Sequence, residues 1–140
     1  PNFPYPEYHS SRDNPDLMNH EMLVEFYDSL RLVTQVLETN VVLHRHFDGL
    51  ICLSNPEYDL YFERHDPAID KGLTADDEKW GHLLDSLLRY FDGSISVLDI
   101  AERHELPYFE LFSYLERFKA RGLVSFEFAP VQRPILSERR

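Results

Sequence analysis

Residues 93–128 read GSISVLDIAERHELPYFELFSYLERFKARGLVSFEF, and this stretch decides the fold. Ser96 is a helix N-cap, followed at helical spacing by Val97, Ile100 and Ala101. Glu105 and Leu106 then make a brief turn. Pro107 opens a further helix, at the one position where its missing N–H costs little. Tyr108, Leu111, Phe112, Leu115 and Phe118 form the buried face of that helix, and Gly122 ends it. From Leu123 to Phe128 apolar and polar residues alternate with period two, which predicts a strand.

Working upstream, Thr74 is positioned to cap a helix whose first turn carries Asp76, Asp77 and Glu78, acidic groups favoured at the positive end of the dipole. Trp80, Leu83, Leu84, Leu87, Leu88 and Phe91 fall on one face, and Gly93 is the expected stop. Working downstream, Pro134 confines any return strand to a sheet edge. Helix, short helix, tight turn, helix and β-ribbon, in that order, describe a winged helix, a relative of the helix-turn-helix.

A DNA-reading winged helix needs phosphate donors and base-reading side chains on its third helix. Outside its expected buried face this one carries Glu110, Ser113, Tyr114, Glu116, Arg117 and Lys119. The basic residues Arg117, Lys119 and Arg121 gather at its C-terminal end, whereas this motif reads bases with N-terminal residues. The net charge of −11 opposes phosphate and anionic lipid alike. The reading is a structural or protein-docking winged helix, its turn and third helix marked by Leu106, Pro107, Glu110, Tyr114 and Arg117. A DNA-binding regulator ranks third among the functions considered.

The first 73 residues have a different character. Pro4, Pro6 and Pro15 punctuate a head segment with Tyr5 and Tyr8. Asn19 caps a helix over residues 20–38 with a wide apolar face of Met22, Leu23, Phe26, Tyr27, Leu30, Val33 and Leu37. Short apolar runs broken by Asp48-Gly49 and Asn55-Pro56 make residues 41–62 extended segments or loops, and residues 63–73 read as a linker. The expected division is 1–73 and 74–140, in a fold that is mainly α with a small β component (α+β). No apolar run is long enough to span a bilayer. The first ten residues are rich in proline and aromatics, unlike a signal peptide. The single cysteine, Cys52, rules out an internal disulfide framework and reads as a small buried apolar residue in a reducing, cytoplasmic setting.

Within the head segment, Tyr8-His9-Ser10-Ser11-Arg12-Asp13-Asn14 places a histidine among small polar residues with a carboxylate four positions on, a pattern that can ligate zinc through one ring nitrogen. Glu7 to Asp16, followed by the capped helix at Asn19, an extended stretch near Asp48–Tyr61 and the closing Ser96–Pro107 module, resembles the C-terminal part of a bacterial family of aminopeptidase-like proteins of the two-zinc peptidase clan. The family shows tyrosine-histidine-threonine, two residues, then aspartate-asparagine, so Ser10 and Arg12 are departures. The resemblance implies that His9 completes a zinc site and that Asp13 supports it from the second shell.

The further ligands and the general base of such peptidases lie upstream of this histidine. A catalytic zinc needs about three protein ligands, so no peptidase activity is expected of this chain alone, and the implied partner is the rest of an aminopeptidase-like domain. The alternative is a non-enzymatic interaction or dimerisation module, with homo-oligomer formation open. Among other constellations, His44-Arg45-His46, with Glu63, His65 and Asp66 beyond it, lacks a third ligand at defined spacing and reads as solvated histidines. His20, His82 and His104 read as surface or helix-end residues.

Overall fold

A computed structural model of the chain describes residues 4–61 and 75–131. It divides into two compact units, residues 1–35 and 36–140. The expected cap at Thr74, the linker 63–73, the residues Glu63, His65 and Asp66, and any return strand near Pro134 lie outside the described residues.

In the first unit, the Asn14 side chain caps a 3-10 turn over Pro15–Leu17 by accepting from the Asp16 amide. The Asn19 carboxamide then accepts from the Met22 amide at 3.1 Å, as its N-cap role requires. Helix α1 (His20–Thr39) follows. None of its residues is buried, and Met22, Leu23, Phe26, Tyr27, Leu30 and Val33 are all exposed.

The second unit is α+β. Its elements are β1 (Val41–Arg45), α2 (Ala75–Ser86), β2 (Asp92–Ser96), α3 (Val97–His104), α4 (Tyr108–Ala120) and β3 (Val124–Phe128). The three strands form one antiparallel sheet in the order β2-β1-β3. Against β3, β1 runs in continuous register from Val41↔Phe128 to Arg45↔Val124. Against β2 the register is broken between Val42↔Ser96 and His44↔Asp92. The expected division at 73/74 thus falls between β1 and the two strands it pairs with, whereas the structure draws its division between Gln35 and Val36.

Helix α3 begins in a full capping box. Ser96 Oγ accepts from the Asp99 amide, and the Asp99 carboxylate accepts from the Ser96 amide and hydroxyl. It ends at Glu105, in the left-handed region at φ 52°, whose amide returns to the last turn of the helix. Helix α2 is shorter than its apolar period. It stops at Ser86 and tightens into a 3-10 turn over Leu87–Tyr90, because Ser86 Oγ bonds back to the His82 and Leu83 carbonyls and competes with the helical ladder. Gly93 then lies within β2 at φ 77°, where a Cβ would collide with the His44 imidazole of the neighbouring strand.

The core joins all these elements. Leu43, Leu60, Leu83, Leu87, Phe91, Val97, Ile100, Leu111, Leu115 and Phe118 are fully buried, each contributing about 1.5–3 kcal/mol of transfer free energy. Phe91 packs edge-on to Phe118 with ring centroids 5.4 Å apart, and Phe118 to Tyr114 at 5.4 Å. Among the described residues no helix is long and apolar enough to cross a membrane.

One buried polar side chain ties the sheet to α3. Asn40, 2% exposed, donates from Nδ2 to the Ala129 carbonyl and accepts at Oδ1 from the Leu98 amide. The Asn40 carbonyl also accepts from the Ala129 amide. Asn40→Ala removes the partner of two part-buried backbone groups and should lower unfolding free energy by about 2–4 kcal/mol, measured by urea denaturation. Unchanged stability would show that water satisfies both groups.

Candidate functional sites

The head loop is built from successive turns. The Tyr8 amide bonds to the Tyr5 carbonyl, the Ser10 amide to the Glu7 carbonyl and the Asp13 amide to the Ser10 carbonyl, all at 3.0–3.1 Å. Ser10 Oγ donates to the Glu7 carbonyl at 2.7 Å and accepts from the Arg12 amide. These bonds hold His9 exposed and in the left-handed region at φ 59°, uncommon for a residue with a Cβ. Its imidazole lies against the Tyr8 ring, centroids 4.0 Å apart. The Asp13 carboxylate accepts from the Tyr5 hydroxyl at 2.8 Å, which pushes the Tyr5 pKa up. Among the described residues no three His, Cys, Asp or Glu side chains converge to hold a metal ion. With His9 as its one histidine, the head loop does not by itself fit a catalytic zinc.

The second cluster lies on α4. Pro107 occupies its N-cap, and Leu106 is buried with its amide on the Ala101 carbonyl. Glu110, Tyr114 and Arg117 line a shallow hollow with Trp80 and Ser113. Tyr114, expected outside the buried face, is only 4% exposed. The loop between β1 and the residues beyond 61 lies over it: Leu60 is fully buried and its carbonyl accepts from the Tyr114 hydroxyl at 2.8 Å. Burial pushes the Tyr114 pKa up to about 12, against a smaller lowering by Arg117. Arg117 donates to the Asp59 carbonyl and Arg121 to the Glu57 carbonyl. Both arginines are exposed at the basic end of α4 and are engaged within the chain.

His44 in β1 and His46 just past its end are each held by a β3 side chain. His44 Nε2 lies 2.8 Å from Glu127 Oε2, and His46 Nε2 lies 2.9 Å from Ser125 Oγ. Cys52, expected to be buried, is exposed in a turn closed by the Asn55 amide on its carbonyl. Its Sγ sits 3.2 Å from Ser54 Oγ, and that hydrogen bond lowers its pKa. Beside β2, Arg89, Tyr90, Ser94, Asp99, Glu102 and Arg103 line an open cleft with two guanidinium and two carboxylate groups, and Arg103 lies over the Tyr90 ring at 5.7 Å.

His104 sits in a cluster its sequence does not announce. Its Nε2 is 2.9 Å from the Tyr90 hydroxyl and 3.5 Å from Ser86 Oγ, linking the end of α3 to the end of α2 and the turn that follows. The only sequence signal was its place in the last turn of a helix.

The chain matches no protein-family model, no curated protein and no solved structure.

Burial lowers the His104 pKa, with Arg103 and His82 adding to the effect. A depressed folded-state value means that the native state favours the neutral ring. This contribution is complete above the unfolded pKa of about 6.5 and is lost as pH falls below it. Urea midpoints should therefore decline as pH is lowered from about 6.5 toward 5, and His104→Asn should flatten that decline. Identical slopes in wild type and variant would refute the assignment.

Proposed function

We propose that this chain is the C-terminal portion of a zinc aminopeptidase-like protein, with His9 supplying one metal ligand. In this reading residues 74–140 form a winged helix that serves a structural or protein-docking role. The observation that carries the reading is the pairing of the His9 loop with helix α1. A 20-residue helix with no buried residue and a row of exposed large apolar side chains calls for a covering surface. The loop immediately before it holds a histidine in a conformation that costs free energy, a feature concentrated at functional sites. The resemblance of Glu7 to Asp16 to a final metal-ligand motif supplies the chemistry. The missing ligands and the general base would come from the rest of the aminopeptidase-like domain, and the 140-residue chain alone is inactive.

The winged-helix reading is supported by the order α2, β2, α3, α4, β3, by the tight turn at Glu105 and by a three-stranded antiparallel sheet. The same exposed face of α1 favours a second reading, a non-enzymatic interaction or dimerisation module. A DNA-binding regulator is disfavoured by the charge of −11 and by the engagement of Arg117 and Arg121 with backbone carbonyls.

Metal analysis of the native protein purified from its source is the test. Bound zinc is expected, and His9→Ala should lower its content and abolish hydrolysis of aminoacyl anilides, while the isolated chain hydrolyses none. Absence of zinc from the native protein, with no effect of His9→Ala, would leave the interaction module as the better reading.

A further inference from the structure

Tyr114, Arg117 and Arg121 lie at positions i, i+3 and i+7, one row along α4 and its C-cap. Each donates to a backbone carbonyl of one short segment: Tyr114 Oη to Leu60 at 2.8 Å, Arg117 to Asp59, and Arg121 to Glu57 at 2.6 Å. As the donors advance along α4 the acceptors step back from 60 to 57, so the segment runs antiparallel to the helix. We propose that α4 is a receptor for the chain's own segment Glu57–Leu60, an acidic strap that occupies in cis the basic face a winged helix would otherwise offer to phosphate. The winged-helix reading enters only in what that face would otherwise do.

The strap is built to lie there. Its far end is anchored by Leu60, fully buried, with its amide on the Leu53 carbonyl at 3.2 Å. Its near end is turned by Asn55, whose carboxamide accepts from the Glu57 amide and whose carbonyl accepts from the Tyr58 and Asp59 amides. Asp59 holds φ 50°, a conformation that persists in a residue with a Cβ only where its surroundings impose it. The Arg117 bond to its carbonyl is such a constraint. Charge agrees: the strap carries Glu57 and Asp59, with Asp59 Oδ2 3.9 Å from the Arg117 guanidinium, facing the basic end of α4. The ligand class that fits this row is an acidic polypeptide turn, and the chain supplies one itself.

The full chain, with Arg117→Met and the pair Arg117→Met/Arg121→Met, tests this in two arms. In the first, cleavage after Glu57 by a glutamate-specific protease is timed while far-UV circular dichroism checks that each variant is folded. Wild type should resist, and Arg117→Met should be cut roughly tenfold faster, as expected when a local opening becomes easier. The single substitution is at an exposed side chain, so it stands if the double variant fails to fold. Equal cleavage rates in wild type and folded variants would overturn the strap. In the second arm, a labelled DNA duplex is titrated at low salt. Wild-type binding that Arg117→Met weakens would also overturn it, since the guanidinium would then serve phosphate. Duplex binding that is indifferent to Arg117, with the strap still protected, would sink the docking reading above and leave the strap standing.

Discussion

The Asn40 carboxamide holds three parts of the chain together, and the second unit is organised around it. It lies between the end of α1 and the start of β1, and reaches Leu98 in the first turn of α3 and Ala129 just past β3. A buried amide is costly unless both its donor and its acceptor are satisfied, and here both are. The arrangement fixes where β1 begins relative to β3. The register follows from that point, with the Asn40–Ala129 pair closing one end and the His46 amide on the Leu123 carbonyl closing the other. A slip of one residue would turn Leu43 out of the core.

With β1 set, the remaining packing follows. Leu43 enters the core cluster that also holds Phe118 and Leu111, and His44 and His46 pair with Glu127 and Ser125 of β3. The His44 ring lies over Gly93, so the neighbouring strand accepts no side chain at that point. The chain leaving β1 crosses α4 and is retained there by Tyr114, Arg117 and Arg121. The same three donors that complete the packing of the unit are the ones that, in the strap proposed above, hold Glu57–Leu60 against the basic end of α4.

The sequence disclosed most where structure is local. The α3 cap at Ser96, the proline start of α4, the glycine after it and the period-two run into β3 are each written within a few residues. The sheet was not legible, because β2 is a Gly- and Ser-containing strand with no alternation of its own, and it exists through its pairing with β1. Gly93 was read as a helix stop when its closest constraint is a histidine 49 positions earlier. Tyr114 was assigned to the solvent face because nothing local shows that Leu60 covers it. At the head loop, the motif around His9 was visible as residue types. Its left-handed backbone and the Tyr5–Asp13 bond depend on the turns around it.

Native-state hydrogen exchange read residue by residue tests the organising role of β1 most directly. The Arg45 amide, bonded to the Phe91 carbonyl, and the His46 amide, bonded to the Leu123 carbonyl, should exchange only through the same global opening as Leu115 and Phe118 in α4. Exchange of Arg45 and His46 orders of magnitude faster than that of α4, at equal solution conditions, would contradict the account and make β1 an appendage of a helical core.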